Sequence, residues 1–233
     1  MTQANGDSRV PGRGGQSDLD LFAHLENTLY TAVVSDALDE LGFRDQAMAA
    51  HLRPVGASAK FAGWARTIAC IDTYQTDEDP YGLEITAIDS ILSGEVVVVS
   101  TGESRRNAPW GELLTTAAIA RGARGAVVDG LVRDVRRIQD LGFPLFAAGM
   151  KPVDSKGRGR VVDYNVVVQC GGVLVTPGDL VFGDLDGVVT IPAAMVDEVV
   201  RVATDKASRE NQSRDELQKG AYLRAVYDKY GVL

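Results

Sequence analysis

Two short polar segments interrupt the apolar middle of the chain. Glu112 follows Pro109-Trp110-Gly111, and Arg133-Asp134 follows the apolar run 126–132. Carboxylate oxygens such as those of Glu112 and Asp134 are the ligands that Mg²⁺ prefers. The planar guanidinium of Arg133 suits a carboxylate or a developing oxyanion. These residue types predict a site for a divalent metal and a small anionic ligand.

The elements between the two segments place them at one edge of a sheet. A helix from Gly111 to Arg121 would run about ten residues, or roughly 15 Å. After glycines at 122 and 125, a strand over 126–130 would return by roughly 20 Å. The start of the helix and the end of the strand therefore share an edge. Ligands of α/β proteins generally bind at this edge, beyond the carboxyl ends of the strands.

The first turn of this helix offers backbone donors for an anion. Amides near Glu112, Leu113 and Leu114 lack intrahelical partners and suit a carboxylate. Simpler alternatives stay open from spacing alone. Glu112 could be only a charge that favours a helix N-terminus. Asp134 could be only an N-cap, with Arg133 as its ion-pair partner.

The remaining pattern predicts one α/β domain between helical ends. Residues 1–17 are polar and glycine-rich and are expected to form a disordered tail. Residues 18–192 are expected to form the domain, beginning with helices over 21–25 and 33–41, the second with an N-cap near Thr31 or Ser35. Residues 193–233 are predicted to be a helical extension that packs on a neighbouring subunit.

Strand and helix patterns alternate inside this domain, which indicates a core with parallel pairing. Strands are predicted over 61–71, 94–100, 126–130 and 143–147, with helices over 83–89, 111–121 and 135–141. Strands over 161–168, 173–175, 179–182 and 188–191 follow, and Asp184-Leu185-Asp186-Gly187 is expected to be a hairpin turn.

Composition excludes several classes of protein. Of the 233 residues, 45% are hydrophobic and the net charge is -8. The chain has no basic stripe for nucleic acid and no apolar run of the about 18–20 residues that cross a membrane. Its start does not resemble a secretory signal. Cys70 and Cys170 are predicted to be buried free thiols, which suits the cytoplasm. With only two histidines, any metal is expected to have oxygen ligands.

Several motifs, in order over about residues 30–195, resemble the RraA-like family. This family contains class II 4-hydroxy-4-methyl-2-oxoglutarate and 4-carboxy-4-hydroxy-2-oxoadipate aldolases, and RraA regulators of ribonuclease E activity. The motifs are Gly102, Trp110-Gly111-Glu112, Gly122-x-x-Gly125-x-Val127-Val128-x-Gly130-x-x-Arg133-Asp134, Phe143-Pro144-x-Phe146, Cys170-Gly171-Gly172-Val173-x-Val175-x-Pro177-Gly178-Asp179 and Gly183-Asp184-x-Asp186-Gly187-Val188.

The resemblance implies a three-layer β/β/α swivelling-type fold with helical N- and C-terminal extensions, assembled as a homotrimer or homohexamer. The aldolase motif is an acidic residue, twenty intervening positions and Arg-Asp, and Glu112 to Arg133-Asp134 fits it with Glu in place of Asp. Arg137 stands where an acidic residue often follows. The resemblance implies the following site residues: Arg133, Glu112 and Asp134 as catalytic, Gly111, Glu112, Leu113, Leu114 and Arg133 as substrate-binding, and Asp134, Glu112 through water and Glu210 of a neighbouring subunit around Mg²⁺ or Mn²⁺.

The implied activity is a metal-dependent aldolase that cleaves 4-hydroxy-2-oxo acids to pyruvate and also decarboxylates oxaloacetate. The keto acid is expected to chelate the metal, while Arg133 and the metal stabilise the pyruvate enolate. Two alternatives stay open: a non-catalytic regulator of ribonuclease activity, and a lyase that acts on another hydroxy or sugar acid. The regulators are expected to lack the acid at position 112, so Glu112 favours an enzyme.

Overall fold

A curled, mixed β-sheet organises the chain, and helices cover its outer face. The computed structural model describes residues 15–57 and 60–232. In chain order its elements are α1 (Gln16–Thr28), α2 (Thr31–Glu40), β1 (Arg53–Pro54), β2 (Phe61–Asp72), α3 (Gly82–Asp89), β3 (Glu95–Ser100), α4 (Glu112–Ala120), β4 (Gly125–Val132), α5 (Val135–Leu141), β5 (Leu145–Met150), β6 (Gly159–Tyr164), β7 (Val168–Cys170), β8 (Val173–Val175), β9 (Leu180–Asp184), β10 (Gly187–Ile191), a 3₁₀ turn (Ala193–Met195), α6 (Val196–Gln218) and α7 (Leu223–Tyr230).

Four parallel strands form the centre of the sheet. The strand order is β1-β5-β4-β3-β2-β9-β10, with β6 also paired to β2. Strands β2, β3, β4 and β5 are parallel neighbours, whereas β1, β6, β9 and β10 pair antiparallel. Helices α3, α4 and α5 are the crossovers between the parallel strands. The carboxyl ends of these four strands therefore lie at one edge, as the βαβ pattern predicts.

Alternate residues of the central strands face different parts of the core. Val96 and Val98 of β3 pack inside the curled sheet, against residues of the β7–β8 hairpin. Val97 and Val99 face outward and pack against residues of α3, α4 and α5. Because both faces are covered, β3 is apolar almost throughout. A third cluster joins α1, α2 and α6 to β9 and β10. This architecture confirms the predicted α/β, three-layer β/β/α class with helices at both ends.

The single strand predicted over 161–168 is wrong. β6 ends at Tyr164, and β7 begins at Val168 on a different sheet. Asn165 lies between them with a φ of 56°, which breaks the extended backbone. Asp163, Tyr164 and Asn165 separate two short runs of valine. The strand prediction joined these two runs although Asn adopts a left-handed backbone more readily than most residues.

Helix α2 begins at Thr31, but its capping group comes from a distant turn. Asp184 accepts hydrogen bonds from the backbone N–H of Thr31 at 2.8 Å and from its hydroxyl at 2.6 Å. Asp184 belongs to the predicted hairpin turn between β9 and β10. That turn therefore has a structural task at the start of α2.

The predictions for the N-terminal tail and the C-terminal extension can be compared with the structure only in part. Residues 1–14 of the predicted disordered tail lie outside the described residues, and Gln16 and Ser17 begin α1. Val199 and Ala203 in the first half of α6 pack into the core of their own chain. Contact of the extension with a neighbouring subunit remains a proposal. Among the described helices, none is long and apolar enough to cross a lipid bilayer.

Candidate functional site

The start of α4 and the end of β4 contact each other directly. Trp110 pairs with Val132 as a parallel bridge, and the Arg133 N–H donates to the Trp110 carbonyl at 2.9 Å. The Glu112 N–H lies 3.3 Å from Oδ2 of Asp134, which accepts from it. The structure thus brings Glu112, Arg133 and Asp134 together at the carboxyl edge of the parallel strands.

Gly111 makes this close approach possible. A Cβ atom at this position would lie 2.7 Å from Oδ2 of Asp134 and 3.2 Å from Nε of Arg133. The φ of Gly111 is -148°, which any residue adopts. Glycine therefore leaves space here for the Asp134 and Arg133 side chains, which a Cβ atom would push aside, and the backbone conformation does not require it.

Asp134 holds its carboxylate away from the helix that it precedes. Its backbone is left-handed, with φ 58° and ψ 28°, and its side chain makes no capping hydrogen bond to α5. The carboxylate reaches back to α4 instead. Asp tolerates this conformation better than most residues, yet it still costs on the order of 1 kcal/mol. The geometry argues against the alternative in which Asp134 is only an N-cap.

Arg133 lies between two carboxylates. Its Nε atom is 3.7 Å from Oδ2 of Asp134, and its NH2 nitrogen is 3.2 Å from Oδ1 of Asp154. The other oxygen of Asp154 accepts a hydrogen bond from the Tyr81 hydroxyl and one from the Lys156 N–H at 3.3 Å. Sequence reasoning missed Asp154 and Tyr81.

The charges in this cluster influence one another. Burial raises the pKa of Asp154, but hydrogen bonds from Tyr81 and Lys156 and the charge of Arg133 outweigh it and leave that pKa below its ordinary value. The hydrogen bond to Asp154, followed by burial, raises the pKa of Tyr81 to about 12. At neutral pH, Asp154 is therefore an anion and Tyr81 a neutral donor.

Glu84 of α3 lies close enough to Asp154 and Arg133 for their charges to influence it. It lines a narrow cleft with Pro109, Trp110 and Leu114. Burial, and then the negative charge of Asp154, raise the pKa of Glu84 to about 7, against the opposing influence of Arg133. A carboxyl group that titrates near neutral pH beside an arginine is a feature of functional sites.

A sequence signal for these missed residues did exist. The polar, glycine-containing segment 151–160 follows β5, and Tyr81 and Glu84 follow β2. Both β2 and β5 belong to the parallel set. The rule that pointed to Arg133-Asp134 after β4 applies equally after these strands. What spacing could not supply was the contact among the three segments.

The other predicted site residues are placed as follows. The Glu112 carboxylate accepts a hydrogen bond from the Thr116 hydroxyl at 2.9 Å. Leu113 is 76% exposed, and Leu114 lines the cleft beside Glu84. Glu210 lies on α6, a helix of the group that covers β9 and β10, so its approach to a neighbouring subunit's site stays a prediction.

The donor set fits a magnesium-type site that retains water. No group of three or more Asp, Glu, His or Cys side chains within residues 15–57 and 60–232 is arranged to hold a metal. Mg²⁺ commonly uses one or two carboxylates and keeps several waters. Asp134 is 42% exposed and supplies hard oxygen, with the Glu112 carboxylate on the adjacent helical turn.

Other candidate polar residues have local structural partners. Buried Asp129 accepts from the N–H and hydroxyl of Thr101, at 2.5 and 2.8 Å. Cys170 is buried and Cys70 half-buried, and both are free thiols. Burial raises the pKa of both thiols, so they remain protonated and unreactive. These positions form part of the core.

Comparison with known proteins gives a consistent result. An RraA-like family model, described as Aldolase/RraA, matches residues 31–190. A protein of Halalkalibacterium halodurans named "Putative 4-hydroxy-4-methyl-2-oxoglutarate aldolase" is 31% identical over 206 residues, covering 88% of this chain and 90% of the relative.

Solved structures share the fold along most of the chain. An uncharacterized protein from Pseudomonas syringae pv. tomato superimposes with a TM-score of 0.78 at 29% identity, covering 91% of this chain and 97% of the other. Streptomyces coelicolor RraAS2, described as an unusual member of the RNase ES inhibitor RraA protein family, gives a TM-score of 0.75 at 31% identity. This match covers 84% of the present chain and 96% of RraAS2.

Proposed function

Because this chain belongs to the RraA-like family, we propose that it is a divalent-metal-dependent aldolase that cleaves 4-hydroxy-2-oxo acids to pyruvate. Oxaloacetate decarboxylation is proposed as a related activity. The observation that carries the proposal is the contact of the Asp134 carboxylate with the first turn of α4, beside the Arg133 guanidinium. This contact supports the proposal, because a carboxylate oxygen, backbone N–H groups and a guanidinium lie close together there.

Two carboxylates are proposed to hold the metal. Asp134 would bind it directly, and Glu112 would bind it through water. When bound, Mg²⁺ or Mn²⁺ supplies Lewis-acid polarisation of the keto group and a positive charge near the developing enolate. Glu112 is also proposed to accept the proton of the C4 hydroxyl, directly or through water.

The remaining groups bind and orient the oxo acid. The amides of Leu113 and Leu114 in the first turn of α4 are proposed to donate to the substrate carboxylate. The Glu112 amide, which donates to Asp134 in this structure, would join them when Asp134 binds the metal. Gly111 lets this turn approach Arg133. As the C3–C4 bond breaks, its electron pair passes to the pyruvate half, and Arg133 stabilises the enolate oxygen. Protonation at C3 then completes pyruvate.

No lysine is needed as a nucleophile in this scheme. The two lysines nearest in sequence to the strands of the domain are engaged with carbonyl groups. Lys60 donates to the Leu29 carbonyl at 2.8 Å, and Lys151 donates to the Arg105 carbonyl at 3.0 Å. The proposal therefore relies on charge stabilisation rather than a Schiff base.

The assembly and setting are part of the same proposal. We propose a cytoplasmic homotrimer or homohexamer in which Glu210 of one subunit approaches the metal waters of another. The acidic net charge of -8 makes a small oxo acid bound to a cation a better partner than nucleic acid.

The test is metal-dependent formation of pyruvate. Purified protein is mixed with 4-hydroxy-4-methyl-2-oxoglutarate, other 4-hydroxy-2-oxo acids or oxaloacetate, and pyruvate is followed through lactate dehydrogenase and NADH. Activity is expected with Mg²⁺ or Mn²⁺ and not with EDTA, and it should return when metal is restored. If no oxo acid yields metal-dependent pyruvate, the aldolase proposal is wrong.

Variants connect that activity to the site. Arg133→Ala and Asp134→Ala should each lower kcat by about 100-fold or more while the protein elutes at its wild-type size. Arg136→Ala is a matched control, because Arg136 is 85% exposed and pairs only along its own helix with Asp140 in the contacts described. Near-wild-type turnover in either site variant would disprove the residue assignment.

A second candidate function is regulation of a ribonuclease. The similarity in structure to RraAS2 favours it. A regulator should inhibit purified ribonuclease E equally well before and after Asp134→Ala, and it should release no pyruvate. An aldolase should show the opposite result in both assays.

A further inference from the structure

We propose that Asp154 and Tyr81 are positioning residues that hold the Arg133 guanidinium in its substrate-binding orientation. The inference rests on the proposed function, and it adds two residues that the Glu112 and Arg133-Asp134 pattern does not contain. Neither residue is proposed to touch the substrate.

The first observation is the way in which Arg133 is held. Asp134 approaches its Nε atom at 3.7 Å, whereas Asp154 approaches an NH2 nitrogen at 3.2 Å. Contacts at two different nitrogens oppose rotation of the planar group, because rotation would lengthen at least one of them. With Asp134 alone, the guanidinium could swing about its last side-chain bonds.

The second observation is that Asp154 is itself fixed. Its Oδ1 faces Arg133, while its Oδ2 accepts from the Tyr81 hydroxyl and the Lys156 N–H. Each oxygen therefore has separate partners. Tyr81 comes from the segment after β2, and Asp154 from the segment after β5. The contacts from Tyr81 to Asp154 and from Asp154 to Arg133 therefore join the ends of three strands that are distant in sequence.

Stability alone does not explain this arrangement. The Arg133 side chain is 36% exposed and that of Asp154 is 30% exposed, and ion pairs with this much solvent contact contribute little to folding. A functional site does need such support, because a side chain that binds substrate must lose its freedom before the substrate arrives.

Asp154 becomes more important if Asp134 binds a cation. A carboxylate that coordinates a metal has less charge available for its arginine neighbour. Asp154 would then be the principal carboxylate that orients Arg133.

The experiment is a double-mutant cycle on the binding of oxalate, a stable dicarboxylate with the planar shape of the pyruvate enolate. Calorimetry with Mg²⁺ is performed on wild type, Asp154→Asn, Arg133→Ala and the double variant. Asp154→Asn should raise the Kd of oxalate about tenfold and Arg133→Ala about 100-fold. The double variant should match Arg133→Ala within about twofold, because Asp154 acts through Arg133.

Tyr81→Phe is a gentler probe that removes only the hydroxyl. It should raise the Kd about threefold in the wild-type background and leave it unchanged in the Arg133→Ala background. It should also lower kcat for pyruvate formation more than it changes KM. Asp89→Asn is the matched control, because Asp89 ends α3 in an exposed ion pair with Arg121, and it should bind oxalate like wild type.

Any of the following outcomes in the variants would overturn the inference while leaving the proposed function in place. Equal effects of Asp154→Asn in the wild-type and Arg133→Ala backgrounds would show that Asp154 acts independently. Tighter oxalate binding by Asp154→Asn would show that Asp154 withholds Arg133 from the ligand. Unchanged oxalate binding by both Asp154→Asn and Tyr81→Phe would show that neither residue positions Arg133. If wild type neither binds oxalate nor forms pyruvate, the proposed function fails, and the inference fails with it. Loss in Arg133→Ala without loss in Asp154→Asn overturns the inference alone.

Discussion

Replacing Glu84 with glutamine should stabilise the protein relative to wild type more at alkaline pH than at acidic pH. Glu84 keeps its proton up to about pH 7 in the folded protein, because of burial and the neighbouring Asp154 charge. An ordinary glutamate has a pKa of 4.5. Between these values the unfolded state binds fewer protons than the folded state, so stability falls as the pH rises.

The size of the effect follows from the two pKa values. A rise from 4.5 to about 7 corresponds to about 3 kcal/mol of stability lost when Glu84 is fully ionised. Roughly 2 kcal/mol of this loss falls between pH 5.5 and pH 8. Glu84 is partly exposed, and solvent screening reduces the effect to about 1–2 kcal/mol. The glutamine of the Glu84→Gln variant has no carboxyl proton to lose, so this variant should not show this loss of stability.

Urea denaturation at constant protomer concentration, in EDTA, measures this difference. The free energy of unfolding of Glu84→Gln minus that of wild type should increase by about 1–2 kcal/mol from pH 5.5 to pH 8. Equal m-values and elution volumes would show that both proteins unfold from the same state. A difference that stays constant, or that decreases with pH, would refute the placement of Glu84 in a poorly solvated, anionic setting.

Three further results are expected. Gly111→Ala should lower kcat for pyruvate formation at least tenfold and lower the free energy of unfolding by about 1–3 kcal/mol, because its Cβ would press on Asp134. Gly15→Ala is the control, since Gly15 has open space around it. An unchanged kcat in Gly111→Ala would contradict the predicted crowding. Asp184→Ala should lower the free energy of unfolding by about 1–2 kcal/mol through loss of the Thr31 cap, with turnover of the folded protein unchanged; a smaller loss would show that the cap is unimportant. EDTA should abolish pyruvate formation without changing elution volume, and dissociation on metal removal would assign the metal a structural task.

The sequence by itself determined the α/β class and indicated that the start of α4 and the end of β4 lie at one edge of the sheet. Short-range periodicity reveals which residues are buried, and parallel strands joined by helices must end at a common edge. For this reason the pattern around Glu112 and Arg133-Asp134 predicted their proximity. The roles of these residues stay predictions, whereas the family and the fold are confirmed.

Only the tertiary structure decided how the site is completed. Asp154, Tyr81 and Glu84 join Arg133 because β2, β4 and β5 end side by side, and pairing among distant strands leaves no local signature. The Asp134 carboxylate, which turns toward α4, likewise occupies space that the missing side chain of Gly111 leaves open. Local sequence defines which segments become strands and helices. Contacts between segments far apart in the chain define where a charged side chain points.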